Sequence, residues 1–419
     1  MKSISTDNRP EGDNPTETPG GARGGATALQ PVLSLFLAWA MVLLISSRTF
    51  ASTGSVGVIL ADSRGEFLHE ENPDTPFVPA STLKILTSLL ALHHLGENHR
   101  FPTEIFLDGS DNLIVKGYGD PMLTSEAIQK MAERLAGSLK KKGVNKIGSI
   151  VVDDTYFQHG ITIPGTGTTS NPYDAPVGAF CANFNTVLFA MAKSRYISAE
   201  PQTPLLPFVL DRIKASGLGR GRVILSDKES RTYAGRLLKF FLEKNGITIT
   251  HGVTRGRVGK EDQLMERFFS SHTVEEDIQN LLLFSNNFMA NQLLLACGAK
   301  VFSPPATLEK GVRLLNKFAG ETLNLKGIVI KEGSGLSREN RITPRQMLTI
   351  LMAFKPHRSL MKIDGNEFYK TGTMNGIRCR AGFFETKDGK ACPFVIMVNT
   401  PGRGYDDIRQ KLQTMITKM

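Results

Sequence analysis

The sequence lacks most of the features that quickly assign a function. Only four of its 419 residues are cysteine, Cys181, Cys297, Cys379 and Cys392, and no two form a C-x-x-C pair. That spacing excludes zinc-ribbon and thioredoxin-type sites, and no metal is expected. If Asp388-Gly389 forms a two-residue hairpin turn, Cys379 falls opposite a residue near 398 and not opposite Cys392. Free, mostly buried thiols are therefore expected, without a disulfide framework. No basic run is interleaved with aromatics. The longest basic cluster, "KKK" at 140–142, reads as a solvated helix end, so nucleic acid is not an expected partner. There is no repeat of fixed period and no internal low-complexity tract. The apolar run "PVLSLFLAWAMVLLI", residues 31–45, is shorter than the ~20 residues of a membrane-spanning helix.

What remains is an ordinary globular composition, 41% hydrophobic and 21% charged, with a net charge of +10 that favours anionic partners in general. The length allows two or three domains. Residues 1–30 are rich in Gly, Pro, Thr and Asp and read as disordered. The 31–45 run fits a signal-peptide core. "RTFAS" follows it, with small residues at Thr49 and Ala51, which suits cleavage after Ala51. The leader is long and only weakly basic, so an uncleaved anchor, and with it membrane association, stays open. Either way the chain is expected to be exported.

"SVGVILADSRGEFLHEEN" reads as a hairpin around Ser-Arg-Gly. "ASTLKILTSLLALHHLG" reads as a core helix of about four turns ending at Gly96, apolar nearly all round. Residues 101–270 mix short strands ("TEIFL", "NLIVKG", "IGSIVVDD", "GRVILS") with helices "EAIQKMAERLAGSLKKKG" and "YAGRLLKFFLEKNG", and read as an α+β insertion. From about 272 the chain is helical again. Strands "RCRAGFFE" and "CPFVIMVN" and a last helix from about 404 close it.

Within the first core helix, "FVPASTLKIL" sets Ser81 and Lys84 three apart in an apolar stretch. A serine hydroxyl is a weak nucleophile until a base takes its proton. An unprotonated lysine is such a base, but its ordinary pKa of about 10.4 must fall, through desolvation or a second cation nearby. S-x-x-K occurs three times here. Ser138/Lys141 sits at the basic end of an amphipathic helix and Ser359/Lys362 just past Pro356, so solvent keeps those lysines charged. Taken alone, Ser81/Lys84 reads better as a helix N-cap with a snorkelling lysine. Two further elements change the balance. "FSNNFMANQLLL" places Ser285 and Asn287 ahead of an apolar helix, whereas Ser110-Asp111-Asn112 reads as a hairpin turn. "FYKTGTMNG" places Lys370, Thr371, Gly372 and Thr373 on what reads as an edge strand, able to bind a carboxylate and a substrate backbone.

The order S-x-x-K, S-x-N, K-T-G resembles that of the penicillin-binding proteins and serine β-lactamases. "GYGDPMLT" (117–124), "VVDDTYF" (151–157), "APVGAFCANFN" (175–185), "EGSGLSRENRITP" (332–344) and "KTGTMNGIRCRAGFF" are similar to one branch, the D-alanyl-D-alanine carboxypeptidase/endopeptidase family of low-molecular-mass class C penicillin-binding proteins. The resemblance spans nearly all of 53–415. It implies a penicillin-binding-protein/β-lactamase-like transpeptidase fold of the α+β class, an antiparallel sheet flanked by helices. Residues 1–51 would be the leader, 52–100 with 271–419 the peptidase domain, and 101–270 a large α+β insertion.

By position, the resemblance makes Ser81 the nucleophile on D-Ala-D-Ala and Lys84 its base. Ser285 would relay a proton to the leaving amine. Asn287 would hold Lys84 and the substrate amide. Lys370 would attract the terminal carboxylate and depress the pKa of Lys84. Thr371, Gly372 and Thr373 would line the substrate, and the N–H groups of Ser81 and Thr373 would form the oxyanion hole. Asp153, Phe157 and Arg338 would meet the diaminopimelate end of the stem peptide. No cofactor is implied. The partners would be peptidoglycan stem peptides and, as covalent inhibitors, β-lactam antibiotics, in the periplasm. Two features depart from the branch. Asn286 stands where it commonly has Asp, and only 32 residues (370 − 338) separate Arg338 from Lys370, where it usually has a longer segment. Two other readings stay open. A serine β-lactamase would need a deacylating base, and "ETLN" (321–324) is one residue short of E-x-x-L-N. A catalytically weak peptidoglycan-binding scaffold finds support only in the short segment before Lys370.

Overall fold

The computed structural model describes residues 56–167 and 172–418; the leader and its cleavage site lie outside the described residues. Strands β1 (Val56–Ala61) and β2 (Phe67–Glu71) form the expected hairpin. Asp62 shapes its turn by accepting the N–H groups of Arg64 and Glu66 through one carboxylate oxygen. The core helix begins with a 3-10 turn, Ala80–Leu83, and continues as α1 (Lys84–His94). Lys84 to Ala91 of α1 are all buried, as its all-round apolar character requires.

The middle of the chain carries β3 (Pro102–Leu107), β4 (Leu113–Gly117), α2 (Ser125–Lys141), β5 (Lys146–Ile147) and β6 (Ile150–Asp153). Then come β7 (Thr186–Ala192), β8 (Arg195–Ser198), α3 (Pro207–Ser216), β9 (Arg220–Ile224), α4 (Asp227–Lys244), β10 (Thr248–Ile249), β11 (Val253–Arg255) and β12 (Gln263–Phe269). The stretch read as one strand, "IGSIVVDD", is two, because Gly148 lies against the Asn112 side chain and breaks the run. Helix α4 starts six residues before Tyr233, at a capping box formed by Ser226 and Glu229. These strands build sheets of five (β11-β6-β4-β3-β12), three (β8-β7-β9) and two (β10-β5) strands. They share a hydrophobic core with α2 and α4, around Ile128, Leu135, Val152, Leu237 and Phe241.

The chain then forms α5 (Val274–Phe284), α6 (Asn287–Phe302), α7 (Leu308–Lys317), α8 (Pro344–Phe354), β13 (Lys362–Asp364), β14 (Glu367–Met374), β15 (Ile377–Glu385), β16 (Ala391–Val398) and α9 (Asp406–Thr417). Six strands join as an antiparallel sheet, β13-β14-β15-β16-β1-β2, so the two ends of the described chain meet at the β16–β1 ladder. Alternate residues face opposite cores. Ile59, Val395 and Met397 face α1, α6 and α8, whereas Val58, Phe394 and Ile396 face α9. Burial on both faces explains why β16 reads as an unbroken apolar run.

Part of the middle segment returns to the first core. Phe157, Ile163, Val177 and Cys181 belong to it, and Phe157 bridges to Ala306 in the stretch before α7. Thr53–Met419 accordingly packs as one compact unit. All four cysteines are free and buried. The β15–β16 loop has three residues, 387–389, not two, because the Thr386 N–H closes onto the Lys390 carbonyl at 2.9 Å. Cys379 therefore pairs with Met397, one position short of the expected register.

At the start of β14, the fully buried Glu367 takes Arg380 Nε on one oxygen at 2.5 Å and Arg409 Nη1 on the other at 3.1 Å, tying β15 and α9 to β14. Removing one partner of a buried ion network leaves the others uncompensated. Glu367→Ala should lower stability by about 3 kcal/mol or more, read as a fall in the urea midpoint. An unchanged midpoint would show that the network contributes nothing.

Candidate active site

Three segments converge on Ser81. Ala80, just before it, has a left-handed φ of +47°, a strained setting for a residue with a side chain. The loop over 332–340 crosses behind it. A Cβ on Gly335 would lie 1.9 Å from the Ala80 carbonyl oxygen, so only glycine fits there. In front runs β14. A Cβ on Gly372 would come within 2.8 Å of the Pro79 carbonyl and 3.0 Å of the Ser81 nitrogen. The Gly of K-T-G thus lets the strand approach the serine backbone.

Lys84 is fully buried one turn later. Its Nζ lies 2.9 Å from Ser81 Oγ, 2.6 Å from Asn287 Oδ1 and 2.6 Å from the Ser334 carbonyl. Two of these oxygens can only accept, so they take two N–H groups. A neutral amine then has one lone pair left, aimed at the one partner that can donate, the Ser81 hydroxyl. Burial and the positive charge of Lys370 push the Lys84 pKa well below its ordinary value, and Glu332 works in the opposite direction.

Ser285 and Asn287 reach the site from the corner between α5 and α6. Ser285 ends α5 in a left-handed conformation, φ +55°. Asn286 caps α6 by accepting the Met289 N–H, which leaves Asn287 free to face Lys84. Lys370, 2% exposed, donates to Ser285 Oγ and to the Thr371 carbonyl, both at 2.8 Å. Burial, with the Lys362 charge nearby, pushes its pKa down to about 7. The strand carrying it was expected at a sheet edge. It is second from the edge, but β13 pairs only with Glu367–Tyr369. From Lys370 onward that side of β14 has no strand partner among the described residues, so an extended substrate can lie there.

The other expected residues divide. Arg338 is exposed and donates to the Asn375 carbonyl at the turn after K-T-G, at the rim of the site. Thr371 is half-buried and Thr373 exposed on the same strand. Asp153 and Phe157 lie at the end of β6 and just after it, in the middle segment. The Asp153 carboxylate is buried and taken by the Thr155 N–H and hydroxyl and by the Val258 N–H. Phe157 is buried against Gly119. Ser138 binds Glu266, and Ser110-Asp111-Asn112 is the β3–β4 turn held by Asp108. Glu321 of "ETLN" is exposed and faces Lys317. Sequence reasoning gave no role to Glu332, which lies buried behind Lys84. Its only signal was an acid directly preceding Gly-Ser-Gly. Among the described residues no group of three or more His, Cys, Asp or Glu could hold a metal.

A serine at the head of a core helix, a lysine amine poised to take its proton and a Lys-Thr-Gly strand across the cleft define a serine hydrolase of the penicillin-binding type. The comparisons agree. The model of the D-Ala-D-Ala carboxypeptidase 3 (S13) family matches residues 51–216 and 213–364, and the chain belongs to that family. Lys370–Thr373 lie past the matched residues and join the site by geometry. The D-alanyl-D-alanine carboxypeptidase of Actinomadura sp. is 26% identical over 347 residues, 70% of this chain but only 63% of that protein. D-alanyl-D-alanine carboxypeptidase DacB of Haemophilus influenzae is 23% identical over 425 residues, 85% of this chain and 87% of that one. The crystal structure of penicillin binding protein 4 from Haemophilus influenzae superposes with a TM-score of 0.70 at 19% identity, covering 88% of this chain and 96% of that one.

The low pKa of Lys370 makes a stability prediction. Between about 7 and the ordinary 10.5 the unfolded chain holds a proton that the folded chain has released. Stability should therefore rise with pH across that window. Lys370→Met should flatten the rise, measured as urea midpoints at pH 7, 8.5 and 10. An equal slope in both proteins would place the Lys370 pKa near its ordinary value.

Proposed function

We propose that this protein is a serine D-Ala-D-Ala carboxypeptidase acting on peptidoglycan stem peptides. One observation carries the reading. Lys84 Nζ sits 2.9 Å from Ser81 Oγ with its other two contacts fixed on oxygens that only accept. Membership of the D-Ala-D-Ala carboxypeptidase family supports the substrate class. The open side of β14, with Lys370 at its head, suits a peptide ending in a carboxylate.

In the first step the Ser81 O–H proton moves to Lys84 as Oγ bonds to the carbonyl carbon of the penultimate D-Ala. The N–H groups of Ser81 and Thr373 hold the oxyanion. Asn287 keeps Lys84 in place and meets the substrate amide. The C–N bond then breaks. Ser285, hydrogen-bonded to Lys370, hands a proton to the leaving amine and draws its replacement from Lys84. The terminal carboxylate pairs with Lys370, assisted by the Thr371 and Thr373 hydroxyls. The partly charged state of a lysine with pKa about 7 suits both tasks. Water then attacks the ester carbonyl as Lys84 takes its proton; the C–Oγ bond breaks and Lys84 returns the proton to Ser81 Oγ.

Arg338 at the rim is assigned to the far end of the stem peptide. Asp153 and Phe157, from the middle segment, are assigned to that same end. A D-Ala–diaminopimelate cross-link presents the same bond, so DD-endopeptidase cleavage is a second reaction of the same site. The peptidase unit of this reading comprises 52–100 and 271–419, with 101–270 inserted. The reaction belongs in the periplasm, after export by the leader; no described helix is long and apolar enough to cross a membrane.

The reading is tested by incubating the protein with a labelled penicillin and following intact mass. A lasting adduct that is absent in Ser81→Ala, with at least ~10³-fold loss of D-Ala release from a pentapeptide in that variant, is expected. Rapid loss of the adduct with hydrolysed drug would point to a β-lactamase. No adduct and no D-Ala release would leave a binding scaffold.

A further inference from the structure

Glu332 is fully buried, yet among the described residues no cation is hydrogen-bonded to its carboxylate. The oxygens are held by neutral donors instead. Oε2 accepts the Ser334 N–H at 2.7 Å, the Ser334 hydroxyl at 2.6 Å and Asn291 Nδ2 at 3.4 Å. Oε1 accepts the Ser337 N–H at 3.2 Å and Asn340 Nδ2 at 3.0 Å. Five neutral donors thus surround this one carboxylate. It does two things at once. It clamps the loop whose Ser334 carbonyl lies on Lys84 and whose Gly335 packs on Ala80. It also puts a fixed negative charge behind a buried amine.

That charge matters because of what Lys84 does in the reaction. When the Ser81 proton reaches Nζ, an ammonium appears where water is excluded, close to the second buried cation, Lys370. The charged groups acting on Lys84 are Lys370 from β14 and Glu332 from the loop. Without the carboxylate, the new ammonium would face Lys370 with no negative charge of the protein behind it.

Resting on the reading of Ser81 and Lys84 as nucleophile and base, we infer that Glu332 is the positioning residue of this active site: through the Ser334 loop it fixes Lys84, and its charge stabilises the ammonium that Lys84 becomes during acylation. Glu332 takes no proton itself. The proton travels only from Ser81 Oγ to Lys84 Nζ, while the Ser81 O–C bond forms.

The test is the pH dependence of acylation by labelled penicillin, measured on the full chain and on variants. A carboxylate near the amine raises its pKa and makes it a stronger base. E332Q should therefore move the acid limb to lower pH, by on the order of one unit. It should also lower the plateau rate by about 100-fold. E332D, which keeps the charge on a shorter arm, should hold the limb near its wild-type position and recover part of the rate. A purely structural role would lower the plateau and leave the limb in place, and that result overturns the inference. If E332Q does not fold, N340A decides. It removes one donor to the carboxylate and keeps the charge. A plateau lowered about 3- to 10-fold, with an unmoved melting temperature, supports the placing of Lys84 through the loop that Glu332 holds; an unchanged rate overturns the inference. A wild type that is never acylated would instead fail the reading of the site, and this inference with it.

Discussion

The buried amine of Lys84 is the constraint around which the structure is arranged. An ammonium group in an apolar core is expensive unless it is paired or loses its proton. Here it is surrounded by three oxygens, and only one of them can give a proton back. Each oxygen comes from a different part of the chain: the 3-10 turn before α1, the first turn of α6 and the loop after α7. The fold positions these three parts by packing α1, α6 and α8 against one face of the six-stranded sheet. The two glycines at 335 and 372 then let loop and strand close on the serine backbone.

The electrostatics follow from that packing. Burial makes both lysines harder to charge. Desolvation carries most of the shift at both, with Lys370 acting on Lys84 and Lys362 on Lys370. The site therefore holds two lysines distinguished by what surrounds them. Lys84 faces the nucleophile and Glu332. Lys370 faces Ser285 and the open side of β14. Two amines of one chemical type are thus set apart by environment, not by residue identity.

Much of this was legible in the sequence, for physical reasons. The apolar helix around Ser81 and Lys84, the S-x-N before α6 and the run of β16 are local patterns, and each has one stable reading. The strands β7, β8, β11 and β12 and helix α3 were not legible. β8, β11 and β12 are exposed along much of their length, so no face stands out, and α3 buries only Val209 and Ile213. The position of β14 depends on a three-residue neighbour, β13, too short to read as a strand. The three-residue β15–β16 loop depends on the Thr386–Lys390 closure, which shifted the register at Cys379 by one. Glu332 was hidden for another reason. A buried carboxylate looks like any surface glutamate in sequence, and its meaning lies in the five donors that fold around it.

The central claim is that Lys84 rests as a neutral amine at working pH. Lysine-selective carbon-13 NMR, with the Cε resonance assigned by loss in Lys84→Met, reads that state directly. The account predicts a neutral-amine shift for Lys84 at pH 8, with its titration midpoint well below 10.5. A Lys84 resonance that stays at the ammonium position up to pH 10 would contradict it.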